Sequence, residues 1–208
     1  MTKRLQIARP GLAVIAFTLW GLGARTTYQA VPEGEGGARV LRADSANANR
    51  ALLHRSRFVA PTEATVSWRW KVAAPLLANR AERRRSGDDY AARVFVVYET
   101  SLVPLHTVAI NYVWAAHEPA GSVYPSPYTS RVRVIVLRSG AGEAGSWCDE
   151  SRDVLRDYRE VFGREPTEIN GVAIMVDTDN TNTRATAWFD ALHWEINYGT
   201  ADSNALNP

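Results

Sequence analysis

Apolar and polar residues alternate through nine short runs of this chain, and a period of two predicts strands rather than helices. The runs are 26–31, 38–44, 51–54, 65–72, 90–99, 105–115, 130–138, 169–176 and 186–196, separated by turn-forming residues. Four of them carry polar intruders on the parity opposite their large apolar residues. These are Arg69 and Lys71 in VSWRWKV (66–72), Arg93 in YAARVFVVY (90–98), Asn111 in TVAINYVW (107–114) and Arg133 in RVRVIVL (131–137). Side chains alternate faces along a strand, so these residues converge if their strands share a sheet. The expected site is therefore a face built from Arg69, Lys71, Arg93, Asn111 and Arg133, whose cations would attract a carboxylate, sulfate or phosphate. The alternative is that each arginine closes a core by pairing with Asp88, Asp89, Glu99 or Glu195.

The tryptophans follow the other parity. Trp68 and Trp70 share it with Val66 and Val72 and are expected in the core, with an exposed sugar-stacking platform as the rival. Trp114 shares parity with Ile110 and Tyr112, but its place at a strand end predicts partial exposure and membership of the site. Trp147 reads as a packing anchor.

One segment has the helical period instead. Val154, Leu155, Tyr158, Val161 and Phe162 form a single stripe, predicting an amphipathic helix over about 150–162. Asp149 or Ser151 would cap it, and Gly163 followed by Pro166 would end it. Nine strands and one helix predict an all-β fold, a two-sheet jelly-roll-like β-sandwich. We expect a single domain over 26–198 and a flexible tail over 199–208. Two long connections, 73–89 and 117–129, are of the kind that rim a binding face.

Charge changes the picture once the N-terminus is set aside. Lys3, Arg4 and Arg9 precede an apolar stretch, Leu12 to Leu22, and small residues at Gly23 and Ala24, so residues 1–24 read as a signal peptide or apolar leader. A buried first strand containing Leu19 and Trp20 is the structural alternative. The stretch falls short of the roughly 20 apolar residues a spanning helix needs. Removing this segment takes away three basic residues and leaves 21 Lys and Arg against 22 Asp and Glu. The body is near neutral, which gives no support to nucleic-acid binding. A bacterial periplasmic or secreted location is expected. The single Cys148 permits no internal disulfide.

Oxygen-rich residues cluster in MVDTDNTNT, where Asp177, Asp179 and Asn180 are candidate ligands for a hard cation such as calcium. The EF-hand pattern fails there, since Asn182 stands where Gly is wanted and Trp188 where the bidentate Glu is wanted. A turn closed by its own Asp and Asn side chains is the simpler reading. No HExxH, GxSxG or phosphate-binding loop occurs, and no catalytic residue is assigned.

Several ordered motifs, WRWKV (68–72), GDDYAARVFVVYE (87–99), AINYVWA (109–115), SPYTSRVRVIVLRSG (126–140), RDVLRDYREVFG (152–163) and GVAIMVDTDNT (171–181), together resemble the bacterial family catalogued as domain of unknown function 3047. The resemblance implies an exported protein with a β-sandwich domain and brings no activity, substrate or cofactor. It also implies that an initial strand is missing before Thr26 or merged with the apparent leader.

The functional expectation is a non-catalytic binding module of the cell envelope, recognising a polar or anionic glycan through the Arg/Asn face. One alternative is a polysaccharide hydrolase or lyase using carboxylates such as Asp177, Asp190 or Glu195. Another is a structural or interaction protein with internally paired arginines. No nucleic-acid partner and no transmembrane span are expected, and oligomeric state is left unassigned.

Overall fold

The computed structural model describes residues 2–6, 17–20, 26–34, 37–99 and 107–199. In chain order the strands are β1 (Thr2–Gln6), β2 (Phe17–Trp20), β3 (Thr27–Pro32), β4 (Arg39–Ala46), β5 (Ala51–Val59), β6 (Glu63–Val72), β7 (Ala92–Glu99), β8 (Val108–Ala115), β9 (Val123–Pro125), β10 (Val132–Ser139), β11 (Cys148–Asp153), β12 (Glu168–Met175) and β13 (Arg184–Asn197). One α-helix, α1 (Val154–Phe162), lies between β11 and β12. The first sheet runs β11-β6-β13-β4-β3, with β1 pairing β13 beyond β4; the second runs β2-β5-β12-β7-β8-β10-β9. The pairings are antiparallel except β8 with β10, which is parallel. The architecture is the expected two-sheet sandwich, and the nine predicted runs are β3 to β8, β10, β12 and β13.

Aromatic residues fill the space between the sheets. Trp68 and Trp70 meet edge to face at 5.6 Å, Trp68 lies 5.6 Å from Tyr112 and Trp70 lies 6.0 Å from Trp114. Each such pair contributes about 0.5–1.5 kcal/mol beyond the burial of its area. The first sheet keeps the alternation expected of a half-buried sheet, with Ala64, Val66, Trp68, Trp70 and Val72 inward and Glu63, Thr65, Ser67, Arg69 and Lys71 outward. The central strands of the second sheet, β7, β8 and most of β12, are buried on both faces. The outer side of this sheet carries two further apolar clusters, one around Phe95, Val97 and Met175 and one around Tyr90, Val113 and Val134.

The helix begins four residues later than expected. Residues 148–153 alternate in exposure and pair with β6 as β11, so the strand, not the helix, claims Glu150. Asp153, rather than Asp149 or Ser151, is the cap: its Oδ1 accepts hydrogen bonds from the Leu155 and Arg156 N–H groups at 3.2 and 3.0 Å. Gly163 closes the helix as predicted, with φ 68° and its N–H on the Arg159 carbonyl.

Two segments of the apparent leader are strands. Thr2–Gln6 pairs with β13 and Phe17–Trp20 pairs with β5, while the rest of 1–25 lies outside the described residues. The expected tail beyond Gly199 also lies outside them. Among the described residues no helix is long and apolar enough to cross a membrane. Glu82 pins the long connection between β6 and β7. Its buried carboxylate accepts the N–H groups of Ala116, His117 and Glu118 at 2.7, 2.9 and 2.9 Å.

Candidate functional site

The sequence-predicted residues do not meet on one face. Arg69 and Lys71 project from the outer face of the first sheet, whereas Arg93 and Asn111 project from the outer side of the second. Arg133 shares parity with the core residue Ile135 and lies at the C-terminal end of α1. It donates to the Val161 carbonyl at 3.3 Å and the Ser130 carbonyl at 2.6 Å, with its guanidinium 5.4 Å from the Phe162 ring centroid. A cation there is favoured by the unpaired carbonyls of the helix end. Trp114 is buried at 1% exposure, and its indole N–H donates to the Gly140 carbonyl, so the expected partial exposure is not found. Asn111 is buried at 1% exposure as well. The reason for the scatter is that parity sorts residues into core and surface only where one face is wet, and both faces of β7 and β8 are covered.

An open face remains on the first sheet, and it has a different composition from the one expected. The β13 residues Thr186, Trp188 and Asp190 point outward, opposite to the inward Ala185, Ala187 and Phe189. Trp188 is registered between Lys71 on β6 and Arg42 on β4. Trp147, immediately before β11, covers the other side of Lys71. The Lys71 ammonium lies 5.0 Å from the Trp147 ring and 4.7 Å from the Trp188 ring, a cation held between two half-exposed indoles. Around it the other charges are matched. Arg69 pairs with Glu33 and Asp190, each at 2.7 Å, and stacks 4.5 Å from Trp147; Arg42 pairs with Asp44 at 2.8 Å. Among the described residues no carboxylate lies within ion-pair distance of Lys71. This face can stack a flat apolar surface on two indoles and present between them one positive charge that, among the described residues, has no carboxylate partner. Trp188 was legible in the sequence, since it shares parity with Thr186 and Asp190.

Arg93 belongs to a different arrangement. It is 4% exposed, lies 3.2 Å from both Asp88 and Asp177, and donates to the Asp88 carbonyl. Burial alone would lower its affinity for the proton, but Asp88 and then Asp177 hold it above the ordinary arginine range. Asp88 was among the partners expected for an internally paired arginine. Burial pushes both the Asp88 and the Asp177 carboxyl above the usual carboxylate range, against the pull of Arg93. Asp89, Asp177 and Asp179 each offer an oxygen within 4.8 Å of the others. Asn180, the third expected ligand, instead turns its side-chain amide to the Tyr128 hydroxyl at 2.7 Å.

A cleft of about 530 Å³ lies between β10 and α1, lined among others by Glu150, Arg152, Asp157 and Glu160. Its carboxylates are engaged. Glu150 accepts from Trp70 and Arg138, Asp157 from Arg152 and the Tyr112 hydroxyl, and Glu160 from Arg156.

The sequence profile of the family described as "Protein of unknown function (DUF3047)" matches residues 16–193. No curated protein matches the chain. Among solved structures, a winged bean acidic lectin complexed with methyl-α-D-galactose is similar at TM-score 0.50 and 10% identity, covering 96% of this chain and 100% of the lectin. A family 29 carbohydrate-binding module complexed with cellohexaose matches at TM-score 0.45 and 10% identity, over 93% of this chain and 91% of that one. The CBM22-1 xylan-binding domain from Paenibacillus barcinonensis Xyn10C matches at TM-score 0.41 and 11% identity, over 95% of each. At these identities the likeness is one of fold.

Proposed function

The chain belongs to the DUF3047 family, and we propose that it is a non-catalytic glycan-binding module of the bacterial cell envelope. The observation that carries the reading is the Lys71 ammonium between Trp147 and Trp188 on the open face of the first sheet. Indole faces stack on the C–H faces of pyranose rings, and an unpaired ammonium selects a sugar carrying carboxylate or sulfate. Arg69, fixed by Glu33 and Asp190, borders the same platform and supplies further hydrogen-bond donors. Residues from β6, β13 and the segment before β11 carry this platform. The sandwich shared with the winged bean lectin is a scaffold compatible with this use.

The test is binding to an array of neutral, carboxylated and sulfated polysaccharides. Trp188→Ala should weaken binding roughly tenfold, equivalent to about 1.4 kcal/mol. Lys71→Ala should remove the preference for charged over neutral chains, and Arg133→Ala should change neither. Absence of glycan binding, or unchanged affinity in both Trp188→Ala and Lys71→Ala, overturns the proposal. We also propose export from the cytoplasm, with residues 1–24 as a leader whose cleavage would take β1 and β2 out of the two sheets. Mass spectrometry of the protein recovered outside the cytoplasm tests it: a start at Arg25 supports cleavage, and retention of Phe17–Trp20 removes the cleaved-leader reading.

A further inference from the structure

We propose that Asp89, Asp177 and Asp179 form a binding site for one hard divalent cation, with calcium the ion their chemistry fits. The chain brings them together from two directions. Asp177 and Asp179 are two residues apart in an extended segment, so they face the same side, while Thr178 between them points away to the Ser45 hydroxyl at 2.8 Å. Asp89 arrives at the end of the 73–91 connection, held there by the Asp177 N–H on the Tyr90 carbonyl. The turn after Asp179 then wraps around Asp89, whose carboxylate accepts from the Asn180 N–H at 3.2 Å, the Thr181 N–H at 2.6 Å and the Thr181 hydroxyl at 2.5 Å. These bonds fix the Asp89 carboxylate in place beside the other two.

Charge and unused oxygens both point to an ion. Four carboxylates, Asp88, Asp89, Asp177 and Asp179, gather near the guanidinium of Arg93, and three of the four are at most 5% exposed. Asp177 spends Oδ2 on Arg93, and its Oδ1 is buried without a hydrogen-bond partner. The amide of Asn49 donates to Asp179 at 2.6 Å, while its own Oδ1 is likewise buried and unpartnered. Buried acceptors without donors are costly, and a hard cation satisfies several at once. Calcium accepts six to eight oxygens in flexible geometry, and a carboxylate set completed by an amide oxygen, carbonyls and water suits it better than the strict octahedron of magnesium.

The test uses the full chain freed of metal with EDTA, then titrated with calcium, and with magnesium in parallel, by calorimetry and thermal unfolding. One calcium ion should bind, and at hundredfold saturation the unfolding midpoint should rise by about 5–10 °C. Asp179→Asn, a nearly isosteric change at a half-exposed position, should abolish both effects. Absence of calcium binding at millimolar concentration, an equal response to magnesium or to sodium chloride of matched ionic strength, or retention of binding in Asp179→Asn each overturns the proposal. A protein whose stability responds to acid but not to calcium would show that a shared proton, not a metal, reconciles the buried carboxylates.

Discussion

Replacing Arg93 by leucine tests the account of the buried cluster. The substitution keeps apolar volume beside Tyr90 and Phe95 but removes the charge that lies 3.2 Å from both Asp88 and Asp177, and it strands the Asp88 carbonyl. Breaking a buried ion pair from one side costs about 3–5 kcal/mol, because the surviving charge stays desolvated. That loss is expected at pH 7.5 in EDTA, measured by urea unfolding of both proteins. Its pH dependence follows from the carboxylates. Asp88 and Asp177 already hold their protons above the usual range because of burial, and without Arg93 they hold them more tightly still. A folded-state pKa above the unfolded value gives stability that is full below the unfolded pKa and is lost as pH rises through the folded one. If the variant's native state retains one proton more than the wild type, the penalty shrinks by about 1.4 kcal/mol for each unit of acidification toward pH 5. A cost below about 1 kcal/mol at pH 7.5, or a difference flat with pH, would refute the reasoning, since both would mean that water reaches these groups.

Glu82→Ala removes the acceptor of three backbone N–H groups, one buried at Ala116 and two that water can reach at His117 and Glu118, so a loss of roughly 3–5 kcal/mol is expected by urea unfolding. A loss under about 1 kcal/mol would show that water replaces the carboxylate. Gly171 has φ 153° at the register shift between β12 and β5, and a Cβ there would meet the His54 carbonyl oxygen at 2.4 Å. Gly171→Ala should therefore cost at least about 1–3 kcal/mol through the backbone alone, and an unchanged melting temperature would sink that account.

The first sheet was legible because one of its faces is wet. There the parity count placed Trp68 and Trp70 inward and Arg69 and Lys71 outward, which is how β6 is built. The same count misled on β7 and β8, where Arg93 and Asn111 are as buried as the valines beside them, because the outer side of those strands is covered as well as the inner. Nothing in a strand's own pattern announces such a cover. The helix start was missed for a related reason: Cys148–Asp153 is too polar to signal a strand and is held in one by pairing with β6. Of the candidate sites, Asp177 and Asp179 were visible as neighbours in the chain, but Asp89 joins them across 88 positions, a distance over which spacing carries no information. Trp147 and Trp188 reach Lys71 only through strand register.

Strand β13 is the middle strand of the first sheet, bonded to β6 along one edge and to β4 and β1 along the other, yet it is the last strand in chain order. During synthesis, β6 and β4 therefore emerge with no partner between them, and the sheet closes only when residues 184–197 leave the ribosome. Until then the edges of β4 and β6 are open to other chains, and the closing contacts span more than a hundred residues, which makes this step slow. The proposed glycan platform, which needs Trp188 beside Lys71, comes into existence at the same moment. A nascent chain stalled before β13 would have neither a completed sheet nor a binding face, so folding and acquisition of the proposed activity are one event.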